Sequence, residues 1–279
     1  MNFSLRALYR GENSWDFLGV SRRVLTGSAI AVLVCVAAIF VRGLNLGIEF
    51  EGGGVWEIPA SADVTTDDLA DAASDAGMSD ARVQRISGGE DIFRVRGELT
   101  ANASAKSVVA ELAKVARVDA ETISTRAVSP SFGDEVAGKA RRALVVFLIL
   151  IALYLTLRFE WKMALGALIA VAHDVAVTVG IYAIFQFEIS PATVVAFLTI
   201  MGYSLYDTIV VFDRIRENRG RLSYATAGII NDSINQTISR TVLTSGTSLI
   251  AVGVLYIFGG SGVHGFAFAM LIGVLVGTY

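Results

Sequence analysis

The sequence has little of what most catalytic and metal-binding proteins depend on. It has one cysteine, Cys35, in an apolar run, so no intrachain disulfide can form. Its two histidines, His173 and His264, have no cluster of other ligating residues around them, and a metal site is not expected. The glycines at 52–54 are not followed by Lys-Ser or Lys-Thr, and no GxGxxG occurs between a strand and a helix. We therefore expect no bound cofactor, no nucleotide hydrolysis and no enzyme activity.

Charged residues are also scarce. They make up 18% of 279 residues, whereas 54% are hydrophobic and the mean hydropathy is +0.60. This balance is typical of a membrane protein and not of a soluble domain. The net charge of −3 hides an asymmetry, because the polar region 43–138 holds 17 of the 26 acidic residues against 8 Lys or Arg. An acidic domain repels phosphates, so no nucleic-acid binding is expected.

Six apolar segments have about the 20 residues that a helix needs to cross a bilayer. The first is an anchor and not a cleaved signal peptide, because it starts far from the N-terminus and lacks a small-residue cleavage site. The sequence thus predicts an α-helical polytopic membrane protein with a cytoplasmic N-terminus (1–23), a cytoplasmic loop (214–239) and spans two to six within 139–279. The predicted transmembrane helices are 24–42, 141–158, 163–186, 191–213, 240–258 and 263–279.

The distribution of Lys and Arg predicts the orientation of the chain. Basic residues precede the first span and follow the fourth, whereas the loops after the third and fifth spans have none. The N-terminus is therefore expected in the cytoplasm, and the region 43–138 outside it. Lys139, Arg141 and Arg142 disagree with this orientation, but long translocated domains are largely exempt from the rule.

The extracytoplasmic region has the pattern of a small α+β domain between the first two spans. After the strand-like GVWEI, the stretch TTDDLADAASDAG begins with Thr65 or Thr66 as a helix N-cap and ends with Gly77. Alternating apolar and polar residues on both sides of Gly88-Gly89 predict a hairpin. A second helical segment and the strand ETISTRAV complete the order β-α-β-β-α-β, which favours a ferredoxin-like domain.

Three of the charged residues within the predicted spans point to a function. Asp174 lies near the middle of the third, Asp207 in the cytoplasmic half of the fourth, and Arg240 begins the fifth. A charge at the bilayer centre costs at least about 2.5 kcal/mol, so such residues normally face the bundle interior and have a partner. The simplest arrangement pairs Arg240 with Asp207, and protonation of the carboxylate would loosen that pair. Together the three residues predict a proton or ion relay.

Structural interpretations of the same residues stay open. An ion pair at Asp207 can be purely structural, and Asp174 can make a helix-packing hydrogen bond beside His173. The Thr and Ser stripe that follows Arg240 at helical spacing is also typical of helix packing. The charged run 213–217 has the pattern of an interfacial helix face.

Four motifs resemble the SecF family of protein-export membrane subunits, which belongs with SecD to the RND-type superfamily. They are GIEFEGG (47–53), AHD (172–174), GYSLYDTIVVFDRIREN (202–218) and INQTISRTVLTSGTS (234–248). The resemblance implies a subunit that works with SecD in the bacterial inner (plasma) membrane. There it would use the proton motive force, or sodium in some members, to promote late translocation of unfolded polypeptide. The implied partners are SecD, the SecYEG translocon, YajC, YidC and membrane lipid.

The resemblance also implies roles for particular residues. Asp207 and Arg240 fall on the family's ion-relay positions, and Asp174 on the His-Asp of the third span. One departure is Tyr206, where the family usually has Asn, and we expect it to alter the hydrogen bonding of Asp207.

Phe50, Gly52 and Gly53 belong to the GIEFEGG element. There the glycines are expected to allow a tight bend from the membrane into the outer domain. Because Met1 begins a natural-looking cytoplasmic segment, SecD is expected as a separate chain.

Two other function classes compete with the export subunit. A self-contained RND-type proton-coupled exporter of a small molecule or lipid would need a second six-span half, supplied by a homodimer. A passive membrane scaffold would only bind partners through its outer domain. Copurification with a SecD-like chain separates the export subunit from the exporter, and substitution of Asp207 separates it from the scaffold.

Overall fold

The structure is a computed structural model that describes residues 15–61, 64–86, 91–100, 103–220 and 224–278. The chain divides into two compact units. We call Leu46–Arg141 the α+β unit, and Met1–Asn45 together with Arg142–Tyr279 the helical unit. The first predicted cytoplasmic residues, 1–14, lie outside the described part of the chain, as do the hairpin residues Gly88 and Gly89 and the C-terminal residue.

The elements follow one another along both units, with one turn of 3₁₀ helix at Ala120–Thr122. In chain order they are α1 (Phe17–Arg42), β1 (Asn45–Leu46), α2 (Ile48–Glu51), β2 (Gly53–Pro59), α3 (Thr66–Asp75), β3 (Met78–Ile86), β4 (Ile92–Leu99), α4 (Ala105–Ala116), β5 (Ser124–Val128), α5 (Pro130–Arg158), α6 (Trp161–Phe185), β6 (Glu188–Ile189), α7 (Pro191–Arg219), α8 (Ala227–Phe258) and α9 (Ser261–Thr278).

Within the described residues, five helices are long and apolar enough to cross a membrane, namely α1, α5, α6, α7 and α8. Helix α9 is also apolar but shorter, with its apolar part at Gly262–Thr278. The chain is therefore a multi-pass, mostly helical membrane protein with an additional sheet.

The predicted loop 214–239 is mostly helical. Helix α7 continues to Arg219 and α8 begins at Ala227, with Thr226 as its N-cap. Hydropathy detects the part of a helix that suits lipid, and it misses polar helical turns beyond that part. The apolar spans therefore mark only the central portions of these two helices.

Small residues set the packing of the helical unit. A Cβ added at Gly180 of α6 would lie 2.1 Å from the Cβ of Cys35 on α1, and one at Gly273 of α9 would lie 2.1 Å from Ile200 Cδ1 on α7. Such close approach of helix backbones is typical of membrane helices, which have little hydrophobic driving force for association. The glycines thus fix α1 against α6 and α9 against α7.

The α+β unit has one four-stranded antiparallel sheet with the order β3-β4-β2-β5. Its core is apolar, and Trp56, Ile58 and Phe93 are at most 1% exposed. Helices α3 and α4 cover the core with fully buried Leu69 and Leu112. Both helices begin with a capping box, because their N-cap hydroxyls and the N3 side chains exchange hydrogen bonds with the backbone.

Candidate functional site

Asp207 of α7 is a buried carboxylate in the middle of the helical unit. It is 9% exposed, and the Thr241 side chain on α8 hydrogen-bonds to it. The second oxygen, Oδ2, has no hydrogen-bond partner among the described residues. An unpaired buried carboxylate oxygen is costly, and such groups are typical of functional sites.

The predicted direct pair between Asp207 and Arg240 is not formed. Among the described residues, no ion pair joins the two side chains, although Arg240 is near enough to act on Asp207 electrostatically. The guanidinium instead lies 5.3 Å from the ring centroid of Tyr206 and donates a hydrogen bond to its hydroxyl. Tyr206 is 44% exposed, so this contact combines a cation–π interaction with a hydrogen bond without burying the arginine. These two interactions hold Arg240 against Tyr206 in place of the predicted ion pair with Asp207.

Asp174 of α6 has hydrogen bonds to both carboxylate oxygens. His173 Nδ1 lies 2.9 Å from Oδ1, and the hydroxyl of Ser204 on α7 donates to Oδ2. The carboxylate is buried, with 7% of the residue exposed. The predicted hydrogen bond beside His173 is thus present, and Ser204 is a partner that sequence reasoning did not find.

A polar cleft of about 330 Å³ opens between α7 and α8 and reaches Arg240. Within it, Arg214 donates hydrogen bonds of 2.6 Å to Gln236 and to Glu217. Asp213 on its wall also binds Arg158 of α5 at 3.0 Å. The lining residues are Val210, Asp213, Arg214, Glu217, Gln236, Thr237 and Arg240.

Beside that end of α7, Arg219 binds Glu160 at 2.7 Å. The hydrogen bond from Arg219 and the charge of its guanidinium lower the pKa of the Glu160 carboxyl. The charged end of α7 therefore forms several ion pairs with neighbouring side chains.

The GIEFEGG element forms a turn of helix followed by a sharp reversal in the α+β unit. Phe50 is buried in α2, while Gly52 and Gly53 have φ of 81° and 107°. L-residues rarely adopt these angles, and a Cβ at Gly53 would lie 2.8 Å from the carbonyl oxygen of Gly97. Both glycines are therefore required by the backbone path.

Two contacts hold this element in place within the α+β unit. Arg96 of β4 donates to the Leu46 carbonyl and binds Glu51 at 2.8 Å. Gly133 in the first turn of α5 lies against the chain at Phe50, where an added Cβ would be 2.8 Å from the carbonyl oxygen. The start and the end of the α+β unit therefore meet.

The structure places the three predicted relay residues on the three consecutive helices α6, α7 and α8. Asp174 and Asp207 are buried, and Arg240 is exposed. Within the described ranges, which leave gaps, no group of three or more His, Cys, Asp or Glu is placed to hold a metal ion. Buried carboxylates within membrane helices are typical of ion and proton pathways.

Comparison with known protein families gives two matches. Residues 107–279 match the family described as protein export membrane protein SecD/SecF, C-terminal, and residues 37–53 match the SecD/SecF GG motif. The second match contains Phe50, Gly52 and Gly53, and the first contains Asp174, Asp207 and Arg240.

Similar proteins cover nearly the whole chain. Protein translocase subunit SecF of Streptomyces coelicolor is 37% identical over 98% of this chain and 75% of its own length. The same subunit of Escherichia coli O157:H7 is 35% identical over 99% of this chain and 87% of its own length. A crystal structure of SecDF from Thermus thermophilus, a translocon-associated membrane protein, is similar with a TM-score of 0.86 at 33% identity. It matches all of this chain, which in turn spans 38% of that longer chain.

Proposed function

The chain belongs to the SecD/SecF family of protein export membrane proteins and is an accessory subunit of Sec protein export, and we propose that it uses the proton motive force to promote late polypeptide translocation. The observation that carries this proposal is the buried Asp207 with an unpaired carboxylate oxygen in a helix of the membrane. A carboxylate there gains stability by taking up a proton, and loses the proton again where water and positive charge reach it.

The proposed cycle uses Asp207, Arg240 and Tyr206 together. In the charged state, Asp207 is stabilised by the Thr241 hydrogen bond and by the nearby guanidinium of Arg240. Protonation removes that attraction, so Arg240 is held only by Tyr206 and the packing of α7 against α8 changes. The polar cleft that reaches Arg240 provides the route by which the proton leaves.

The coupling ion is proposed to be a proton, with sodium as the alternative. SecD is the proposed partner in the membrane, a choice supported by the similarity to a SecDF structure. SecYEG, YajC, YidC, the translocating polypeptide and lipid complete the proposed surroundings. No nucleotide hydrolysis is proposed for this chain.

We place the protein in the bacterial inner membrane with a cytoplasmic N-terminus, six spans including α9, and the α+β unit outside. The sheet order β3-β4-β2-β5 with two helices supports a ferredoxin-like assignment of that unit. Phe50, Gly52 and Gly53 are the proposed bend at its start, supported by the positive φ of both glycines.

The first prediction concerns the role of the Asp207 carboxylate. The full chain is reconstituted with SecD and SecYEG in vesicles, and translocation is measured with and without an imposed proton gradient. Asp207→Asn is expected to lower the gradient-dependent part at least about 100-fold, the usual scale for losing a proton-transfer group.

The matched control is Asp232→Asn, which changes an exposed carboxylate on α8 that does not line the cleft and is expected to retain the gradient response. If Asp207→Asn also retained it, the proposed mechanism would be wrong. If a sodium gradient alone supported translocation, the coupling ion would be sodium.

A further inference from the structure

Ser204 of α7 contacts one buried carboxylate and neighbours another. Its hydroxyl donates a hydrogen bond to Asp174 Oδ2 across the interface with α6. It also precedes Asp207 by three residues on the same helix, and residues at that spacing lie side by side with Cβ atoms about 5–6 Å apart. All three side chains are buried, with residue exposures of 4%, 7% and 9% for Ser204, Asp174 and Asp207.

A third helix encloses the Asp174–Ser204 contact. A Cβ added at Gly277 of α9 would lie 3.4 Å from the Ser204 Cβ and 3.6 Å from Asp174 Oδ2. The only titratable side chain in α9 is His264, so the titratable side chains beside the two carboxylates belong to the other helices. They are His173 beside Asp174 on α6 and Arg240 on α8 beside Asp207.

The two carboxylates differ in the number of their oxygens that have hydrogen-bond partners. Both oxygens of Asp174 have hydrogen-bond partners, whereas Asp207 Oδ2 has none among the described residues. A buried charge is costly unless it is hydrogen-bonded. The hydrogen bonds of Asp174 therefore stabilise a negative charge there, whereas Asp207 Oδ2 has no such partner.

We infer that Ser204 joins Asp174 and Asp207 into one proton-sharing site. The inference rests on the proposed function and adds to it a second proton-binding position and the hydroxyl that connects the two. The ligand proposed for the site is a proton, because a hydroxyl can accept one proton while it donates another.

The proposed transfer moves a proton from Asp174 through Ser204 to Asp207. A proton on Asp174 passes to Ser204 Oγ, so one O–H bond breaks on the carboxyl group and one forms on the serine. In the same step the original hydroxyl proton of Ser204 passes to Asp207 Oδ2, directly or through one water molecule. Serine ends unchanged, Asp174 becomes the carboxylate and Asp207 the acid. From Asp207 the proton continues to the cleft at Arg240.

The test measures proton flux through the complex of the full chain and SecD, reconstituted in lipid vesicles with a pH-sensitive dye inside. Ser204→Ala removes the bridge and is expected to lower the flux at least about 100-fold, on the scale of other lost proton-transfer groups. Ser204→Thr keeps a hydroxyl and is expected to retain most of the flux.

The matched control is Ser245→Ala. Ser245 of α8 is 2% exposed and accepts hydrogen bonds from Tyr203 at 3.0 Å and Thr278 at 2.8 Å. It is thus a buried serine that contacts two neighbouring helices, α7 and α9, but it touches neither aspartate in the described contacts. Its substitution is expected to leave the flux within about twofold, since it removes packing contacts and no relay group.

A second measurement distinguishes proton transfer through Ser204 from a role of Ser204 in helix packing. In Ser204→Ala, the ratio of flux in H₂O to flux in D₂O is expected to rise, because proton transfer between the carboxylates becomes rate-limiting. A purely structural role of Ser204 would leave that ratio unchanged.

The outcomes also separate this inference from the function on which it rests. Normal flux in Asp207→Asn would overturn the proposed function. Loss of flux in Asp207→Asn with normal flux in Ser204→Ala, or an equal loss in Ser245→Ala, would overturn the bridge alone.

Discussion

The two units of the molecule differ in the polar side chains that they bury. In the α+β unit the interior is apolar, with Trp56, Ile58 and Phe93 at its centre. In the helical unit large apolar residues such as Phe40 and Leu33 are 84% and 69% exposed, while Asp174, Asp207 and eight other polar residues are buried. Among the described residues, every buried polar side chain belongs to the helical unit.

The difference follows from the solvent that each unit faces. In water, burial of apolar area supplies the main favourable free energy of folding, so large apolar residues pack inside. In lipid that driving force between helices is absent, and polar groups turn inward because hydrocarbon cannot hydrogen-bond to them. A buried charged residue is therefore unusual in either unit. In the helical unit, the two buried carboxylates belong to the candidate relay.

The largest expected loss of stability comes from a substitution in the core of the α+β unit. Trp56→Ala is predicted to lower the free energy of unfolding of that unit by about 3–5 kcal/mol, because it removes a fully buried aromatic side chain and leaves a cavity. Hydrogen exchange of the β2 and β4 amides in the full chain measures this loss.

Phe40→Ala provides the comparison in the helical unit. It removes a similar aromatic group that is 84% exposed, and the stability of the helical unit should change by no more than about 0.5 kcal/mol. Equal losses for the two variants would contradict the difference in burial between these two aromatic side chains.

A smaller effect is expected from the close contact between α1 and α6 at Gly180. In Gly180→Ala the new Cβ would lie 2.1 Å from the Cys35 Cβ, so α1 and α6 must separate, at a cost of about 1–3 kcal/mol. Because Cys35 is the chain's one cysteine and is 5% exposed, its rate of labelling by a maleimide in detergent reports the separation directly.

Labelling in Gly180→Ala should be faster than in the unchanged chain. Gly246→Ala, where an added Cβ meets nothing within 4 Å, should label at the original rate. Slow labelling in both variants would show that α1 and α6 do not depend on this glycine.

The smallest predicted effect lies at the surface of the α+β unit, where a hydroxyl caps α3. Thr65→Ala removes a side chain that accepts from Asp68 N and donates to Asp68 Oδ2 at 2.7 Å, and should cost about 1 kcal/mol of stability. The hydrogen bonds from Thr65 also lower the pKa of Asp68 below 3.8.

The sign of the acid dependence follows from that lowered pKa. A carboxyl group whose pKa is lower in the folded chain adds stability above its unfolded pKa of about 3.9, and this contribution is lost as the pH falls through the folded value. Urea unfolding should therefore be measured from neutral pH to below the pKa of Asp68. As the pH falls, the free energy of unfolding should decrease less in Thr65→Ala than in the unchanged chain. An equal decrease in both would mean that the cap does not act on Asp68.

Local signals explain which features the sequence could predict. The cap at Thr65 and the apolar spans depend on residues close together in the chain, and the structure confirms the cap and the multi-pass helical architecture. The lengths of α7 and α8 were underestimated because their polar ends have no hydropathy signal. The order of the strands in the sheet depends on distant pairings, which no short pattern specifies.

Helix rotation explains what the sequence could not predict of the site. Successive helical residues point about 100° apart, so a small rotation of α7 decides whether Tyr206 or Asp207 faces Arg240. The sequence identified the carboxylates and the arginine, but the actual partner of Arg240 depended on packing. Ser204 carried one usable signal, its spacing of three residues from Asp207, but nothing in the sequence indicated that it meets Asp174.

The contact of Gly133 with the chain at Phe50 brings the first and last segments of the α+β unit together. The chain thus enters and leaves this unit at neighbouring points. A domain whose ends lie close together can be inserted into another chain without spreading the host segments apart.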